Sequence, residues 1–231
     1  MTEDATTDQL REALAVTALT GPFFDLRLVG PGRGWQQPAD LDVAALTAGT
    51  ARQLGTSELR VAASILHLGF AARLWSPVLG CVLLRGVVPD LSSLLVQASS
   101  PLRLGLGGRS GWRAESPNEL RADVVGEQLD GFAARLPVPL ADGLLRGNSA
   151  SAMIGALGEL VRAHPGLTNR ATALARALLL SEDLGGTGVL DETGPRVSTF
   201  PAFRRSSCCL YYRVPGGGLC GDCCLDRVPT V

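Results

Sequence analysis

The sequence predicts a mainly α fold (α+β with a small β element), in which a helical body carries a cysteine-rich C-terminal appendage. Apolar residues recur at helical spacing in several capped segments, and only three short segments are typical of strands. Five of the six cysteines lie between Cys208 and Cys224. With 231 residues and 46% hydrophobic content, the chain can bury one full core. We expect residues 1–197 to form the body and residues 198–231 the appendage.

Helices and one strand make up the first part of the predicted body. Apolar periodicity between glycine and proline stops predicts helices at residues 8–19, 41–54, 58–74 and 77–85, and a strand at residues 23–29. Thr7 or Asp8 is the predicted cap of the first helix, and Ser57 that of the third. Ser76 and Pro77 fit the cap and first position of the fourth helix. The third helix is apolar nearly all round, so we expect it at the centre of the core.

The second part of the body is less regular. A β-hairpin is predicted from strands at residues 101–106 and 112–115, which flank a glycine-rich turn. Helices follow at residues 127–136, 149–163 and 169–180, and residues 185–195 form a loop. Thr168 is the predicted cap of the last helix, and Asn148 and Ser149 are interpreted as the cap of the one before it.

Composition excludes several classes of partner and compartment. The net charge of -1 gives no electrostatic case for nucleic acid. The N-terminus is acidic and has no apolar secretory signal. The most apolar stretch, residues 61–84, is interrupted by His67, Arg73 and the Ser76-Pro77 pair, so we expect no transmembrane segment. These features predict a cytoplasmic protein, in which thiols stay reduced and clustered cysteines bind metal more often than they form disulfides.

The cysteines of the tail follow the pattern C-C-x10-C-x2-C, with one further cysteine directly after it. Four thiolates suit either one tetrahedral Zn²⁺ or the two irons of a [2Fe-2S] cluster. Structural zinc sites usually combine two C-x2-4-C pairs, and here one of the two is missing. The adjacent Cys208 and Cys209 side chains diverge, which suits two iron atoms better than one small ion. The C-x2-C pair, Cys220 and Cys223, commonly chelates a single metal. The spacing favours iron–sulfur over zinc and leaves both open.

The same segment resembles a known family. Its sequence is Arg205-Ser-Ser-Cys-Cys-Leu-Tyr-Tyr-Arg-Val-Pro-Gly-Gly-Gly-Leu-Cys-Gly-Asp-Cys. This stretch is similar to the C-terminal signature of the FhuF-type ferric siderophore reductases, and weaker similarity covers residues 60–81 and 147–152. The resemblance implies a [2Fe-2S] cluster held by Cys208, Cys209, Cys220 and Cys223. Cys224 lies outside the four-ligand pattern, which leaves open whether the last ligand is shifted by one residue.

The resemblance also implies an activity. A reductase of this family transfers one electron to Fe³⁺ in a ferric siderophore, here expected to be a hydroxamate, and so releases Fe²⁺ for iron acquisition. The body, residues 1–197, is then the candidate siderophore-binding region, and no catalytic residue beyond the cluster is required. The sequence has no nucleotide or flavin motif, so we expect a separate redox protein as the electron donor. Two alternatives are a [2Fe-2S] electron-transfer or binding protein without siderophore turnover, and a structural zinc protein.

Several residues near the motif have two interpretations. Arg204, Arg205 and Arg213 either stabilise the reduced form of an anionic cluster or solvate an exposed tail. The glycines at positions 216–218 are expected to let the backbone approach the cluster. His67 and Cys81 are predicted to be core residues.

Overall fold

The computed structural model describes residues 3–30, 32, 34–114, 123–191 and 200–229. Within these residues the chain forms helices α1 (Thr7–Ala18), α2 (Val43–Leu54), α3 (Leu59–Arg85), α4 (Asp123–Ala133), α5 (Asp142–Ala163) and α6 (Thr168–Leu179). Eight short strands accompany them: β1 (Leu26–Leu28), β2 (Trp35–Gln36), β3 (Val87–Pro89), β4 (Leu94–Gln97), β5 (Arg103–Leu106), β6 (Gly111–Arg113), β7 (Gly188–Asp191) and β8 (Ala202–Arg205). The predicted mainly α class is confirmed.

Helix α3 is the centre of the core, as predicted. It packs against α5, α2 and α1, and every residue from Leu74 to Leu83 is buried. By length and composition it could cross a membrane, but 72% of its most apolar window is buried inside the protein. Such burial is typical of a helix in the core of a folded protein.

The predicted break in this helix is wrong. Ser76 and Pro77 lie inside one continuous α3, and the N-cap position is Glu58 rather than Ser57. Proline in a helix removes one main-chain hydrogen bond and costs about 3 kcal/mol. Because both flanks of Pro77 are buried, the packing of two apolar helical turns outweighs that cost.

The predicted hairpin is also wrong, although both of its strands exist. Strand β5 lies in a four-stranded sheet of order β1-β5-β4-β2, where it pairs parallel with β1 and antiparallel with β4. Strand β6 pairs with β3 in a separate two-stranded sheet. The partners of β5 and β6 are therefore determined by tertiary packing and not by the glycine-rich turn that joins these two strands.

Most other boundaries differ by a few residues. Helix α1 is capped by Thr6, whose hydroxyl accepts the N–H of Gln9 in a capping box. Asp42 caps α2 through Ala45. Helix α5 begins at Asp142, so Asn148 and Ser149 are buried residues of its interior and do not cap it.

The remaining predicted elements concern the C-terminal part of the chain. Thr168 is the first residue of α6 rather than its cap, and β7 occupies part of the predicted loop at residues 185–195. Residues 192–195 of that loop, the residues at 31, 33 and 115, and the predicted boundary at 197/198 lie outside the described residues.

Candidate metal centre

The last described segment is attached to the body by a two-stranded sheet. Strand β8 pairs antiparallel with β7, with Gly188 opposite Arg205. Beyond the strand, the N–H of Ser206 donates to the carbonyl of Thr187 at 2.7 Å. The N–H of Arg205 donates to the carbonyl of Asp222 at 3.0 Å, which closes the cysteine segment into a loop. The phenyl rings of Phe200 and Phe203 are buried in the main core, so the loop starts from a fixed base.

The loop brings the five tail cysteines together as free thiols. The Sγ atoms of Cys209 and Cys220 are 3.5 Å apart. Two thiolates on one tetrahedral metal, with metal–sulfur bonds of about 2.3 Å, would be separated by about 3.8 Å. A disulfide would place the sulfurs at about 2.05 Å. The Cys209–Cys220 spacing therefore fits two ligands of one metal atom.

The two adjacent cysteines differ in burial and in neighbours. Cys209 is buried and faces Cys220, whereas Cys208 is half-buried. The C-x2-C spacing predicts that Cys220 and Cys223 chelate one metal, whereas the close sulfur pair in the structure is Cys209 and Cys220. The N–H of Cys223 instead donates to the carbonyl of Cys220 at 3.2 Å, which forms the turn between them.

Main-chain N–H groups are directed at two of the sulfurs. The N–H of Leu210 lies 3.3 Å from Cys208 Sγ, and the N–H of Leu225 lies 3.4 Å from Cys223 Sγ. Leu210 adopts φ 69°, a left-handed conformation that costs a residue with a Cβ roughly 1–2 kcal/mol. Such strain concentrates at functional sites. Hydrogen bonds to cluster sulfurs are one of the ways in which a protein sets a cluster's potential.

The thiol of Cys220 lies in an environment that disfavours its ionisation in the absence of a cation. Burial raises its pKa, and the charge of Cys209 and contact with Asp222 raise the pKa further.

Cys208 is affected in the same direction. Burial raises its pKa, and the charges of Cys209, Cys224 and Cys223 add to this effect, while the N–H of Leu210 opposes it. These thiols therefore lie close enough to repel one another as thiolates. The positive charge of a bound cation offsets that repulsion and lets the coordinating thiols lose their protons.

The cysteine loop is bound to the two central helices by a buried polar network. Ser64 on α3 donates its hydroxyl to the carbonyl of Cys209 at 2.7 Å. Asn148 on α5 donates through Nδ2 to the carbonyl of Ser64 at 3.0 Å and accepts from Arg205 Nη2 at 2.8 Å. Ser64, Asn148 and Arg205 are all buried. Sequence reasoning missed Ser64 altogether and interpreted Asn148 as a cap.

The three flanking arginines have different environments. Arg204 is half-exposed and pairs with Asp226 at 2.7 Å. Arg213 is also half-exposed and pairs with Glu58 at 2.8 Å. Arg205 is only 2% exposed. The solvating interpretation therefore holds for Arg204 and Arg213 and is wrong for Arg205.

The donor set fits a two-iron cluster better than one zinc ion. Among the described residues, no three His, Cys, Asp or Glu side chains converge on one metal position. A tetrahedral zinc site requires four donors at one point, whereas a [2Fe-2S] cluster distributes its four cysteines over two irons. The close Cys209–Cys220 pair has the spacing that one iron of such a cluster needs.

A match to a known protein family favours the [2Fe-2S] cluster over the zinc ion. The family model of the FhuF 2Fe-2S C-terminal domain matches residues 205–225. This segment is similar to that domain. The FhuF 2Fe-2S domain indicates a [2Fe-2S] cluster as the cofactor. No curated protein and no solved structure gives a significant match to the chain.

The glycines of the matched segment form a turn of the cysteine loop. Gly216 has φ 70°, and a Cβ on Gly217 would lie 2.7 Å from the carbonyl oxygen of Tyr211. The N–H of Gly217 donates to the carbonyl of Val214 at 2.7 Å. Close backbone packing thus requires glycine at 217, but the contact is with the loop's own backbone. The described N–H donors to sulfur are Leu210 and Leu225.

Other candidate residues lie in the body. Cys81 is fully buried, as predicted, and burial raises the pKa of its thiol to about 12. His67 is buried too, and desolvation lowers its pKa to about 4. Its Nδ1 has no hydrogen-bond partner among the described residues. It lines a cavity of about 330 Å³ together with Trp75, whose Nε1 donates to Ser149 at 2.9 Å.

Proposed function

We propose that this protein is a ferric siderophore reductase, which reduces Fe³⁺ in a hydroxamate siderophore to Fe²⁺ and so releases the iron. The observation that carries the proposal is the FhuF 2Fe-2S domain at residues 205–225. Hydroxamate oxygens are hard donors suited to Fe³⁺, and they hold Fe²⁺ far less tightly. One electron is therefore enough to release the metal.

The proposed ligands are Cys208, Cys209, Cys220 and Cys223. Cys209 and Cys220, with sulfurs 3.5 Å apart, would hold one iron. Cys208 and Cys223 would hold the other, and each of these two sulfurs accepts a main-chain N–H. This pairing assigns the two adjacent cysteines to different irons.

When bound, the [2Fe-2S] cluster supplies a one-electron reduction, for which the chain needs no acid, base or nucleophile of its own. The chain's residues position the site. Ser64 holds the Cys209 carbonyl, and the N–H groups of Leu210 and Leu225 favour added negative charge on the sulfurs. Cys208, Cys220 and Cys223 are half-exposed, so a ferric chelate can approach from solvent without entering the core.

Residues 1–197 are proposed as the siderophore-binding body and residues 198–231 as the cluster-binding unit. The sequence carries no nucleotide or flavin motif, so the proposed electron donor is a separate redox protein. A cytoplasmic location is proposed because the ligands must stay reduced, and all six cysteines are free thiols.

The first test is the cofactor. The anaerobically purified protein is expected to be coloured and to contain two irons and two acid-labile sulfides per chain. Cys81→Ala, which removes the one cysteine outside the tail, is the matched control and should keep both. A colourless protein with one zinc per chain would overturn the proposed cluster.

The second test is turnover. The reduced protein is mixed with a ferric hydroxamate and an Fe²⁺ trap under argon. We expect reoxidation of the protein with one trapped Fe²⁺ per electron. A coloured protein that is not reoxidised would instead be an electron-transfer or binding protein without siderophore turnover.

A further inference from the structure

Arg205 carries a positive charge in the interior of the protein. Its residue is 2% exposed, and its Nε and Nη1 atoms have no hydrogen-bond partner among the described residues. The third nitrogen, Nη2, donates to a neutral amide oxygen, Asn148 Oδ1. Arg205 forms no ion pair with any carboxylate in the described parts of the chain. Arg204, the preceding residue, is exposed to solvent and forms an ion pair with the carboxylate of Asp226.

A buried guanidinium without a counter-charge is costly. Removing a charge from water costs several kcal/mol even after relaxation, and the cost is offset only by an opposite charge at close range. Arginine stays protonated under all ordinary conditions. A fold that buries Arg205 in this way therefore needs an anion in the same region.

The cysteine loop is the region that can supply that anion. Arg205 lies three residues before Cys208, and its N–H holds the carbonyl of Asp222, between Cys220 and Cys223. Its guanidinium is joined through Asn148 and Ser64 to the carbonyl of Cys209. Four thiolates around two irons and two sulfides give a net negative charge in both oxidation states, and one more negative charge when reduced.

We propose that Arg205 is a positioning residue that supplies the buried positive charge for the [2Fe-2S] cluster and raises its reduction potential. A fixed positive charge stabilises the reduced state more than the oxidised state, because the reduced cluster is more negative. Asn148 holds the guanidinium without neutralising it, since an amide oxygen is an acceptor that carries no charge. The inference rests on the cluster-binding part of the proposed function and is independent of siderophore turnover.

The direct test is the midpoint potential of the cluster in Arg205→Gln, measured by anaerobic redox titration of the full-length holoprotein. We expect the oxidised-to-reduced ratio at fixed potential to rise at least tenfold, which is 59 mV for a one-electron couple. Arg204→Gln is the matched control, because it removes an exposed, ion-paired charge one residue away. It should change the ratio less than twofold. Equal shifts in the two variants, or none in Arg205→Gln, would overturn the inference.

A second measurement separates charge from packing. Without the cluster, Arg205→Gln should be more stable to urea than the wild type, because it removes an uncompensated buried charge. With the cluster, it should be less stable. A stability change of the same sign in both forms would show that Arg205 is only structural. If Arg205→Gln fails to retain the cluster, a stabilised cluster-free form still supports the proposal, and a destabilised one contradicts it.

Asn148→Asp gives an independent check that keeps Arg205 in place. The new carboxylate would pair with the guanidinium and cancel its field at the cluster. The potential should therefore fall as in Arg205→Gln, and an unchanged potential would contradict the proposal. A wild type without iron and sulfide would refute the proposed cofactor, which is a different outcome from a wild-type cluster that does not respond to Arg205.

Discussion

Ser64, in the N-terminal part of α3, donates its hydroxyl to the carbonyl of Cys209 at 2.7 Å, although the two residues are 145 positions apart in the chain. The most buried cysteine of the tail is thereby held by the central helix of the body. Asn148 on α5 donates to the same hydroxyl at 3.2 Å, so both central helices contribute to one anchor. The geometry of the cysteine loop therefore depends on the core as well as on its own turns.

The fit between α5 and the cysteine loop can be tested with paired glycine substitutions. A Cβ on Gly147 would overlap the hydroxyl of Ser207 and lie 3.0 Å from Arg205 Nη2. Gly147→Ala should therefore push the loop away from α5 and accelerate cluster loss. Gly155→Ala, in the same helix, would meet nothing within 4 Å and should stabilise the protein by roughly 0.5–1 kcal/mol. Decay of visible absorption under oxygen and urea midpoints measure the two effects. Equal cluster lifetimes in both variants would contradict the proposed fit.

The features that the sequence predicts correctly are local ones. The cysteine spacing, the mainly α class and the buried character of α3 depend on residue type and short-range periodicity, so they were predictable. The partners of Cys209 and Arg205 were not, because Ser64 and Asn148 are far away in sequence and neither carries a distinctive motif.

Errors in the element boundaries have the same physical origin. Ser76-Pro77 is a good local signal for a helix start. Helix α3 nevertheless continues past it, because the helical turns before and after Pro77 are both buried. A glycine-rich turn predicted that β5 and β6 would pair, whereas each pairs elsewhere, because strand partners are determined by tertiary packing. Local rules therefore identified β5 and β6 as strands but failed on their pairing, and they missed β2, β3, β4, β7 and β8.

Histidine 67 is expected to make stability depend on pH. Desolvation lowers the pKa of His67 from 6.5 to about 4, so the unfolded chain binds this proton more readily than the folded one. The contribution of neutral His67 to the free energy of unfolding is complete above pH 6.5. It is lost as the pH falls towards 4, and the total loss is about 3 kcal/mol. Urea unfolding of wild type and His67→Gln across this range measures it. Between pH 6.5 and 4, the free energy of unfolding should fall more steeply for the wild type than for His67→Gln. Parallel curves of unfolding free energy against pH would contradict the prediction.

Removal of residues 198–231 tests the proposed division of the chain. The main core is built from residues before that point, with Phe200 and Phe203 as the exceptions. The truncated chain should therefore keep its helical circular dichroism but contain no iron, and it should be less stable because β7 loses its partner β8. A variant with all five tail cysteines replaced by Ser is the matched control, since it loses the cluster but keeps both phenylalanines. Aggregation of the truncated chain beside a folded control would show that the tail is part of the body's core.

The register of the last ligand can be tested with Cys223 and Cys224. Both thiolates raise the pKa of Cys208, so both lie close to it, and proximity alone does not choose between them. Cys223 Sγ accepts the N–H of Leu225, as Cys208 Sγ accepts that of Leu210, which gives these two sulfurs matching environments. This match, together with the common C-x2-C spacing, favours Cys223 as the ligand.

Serine substitutions should therefore give a graded series. Replacing Cys208, Cys209 or Cys220 puts a harder, poorly ionised oxygen on iron, so we expect loss of the cluster or a shifted spectrum and potential. Cys223→Ser should be partly rescued by Cys224, Cys224→Ser should resemble wild type, and the double variant should be colourless. Iron content, visible absorption and reduction of a ferric hydroxamate measure the series. If Cys224→Ser loses its cluster while Cys223→Ser keeps it, the fourth ligand is Cys224, and the N–H of Leu225 then has a role other than stabilising a ligand sulfur.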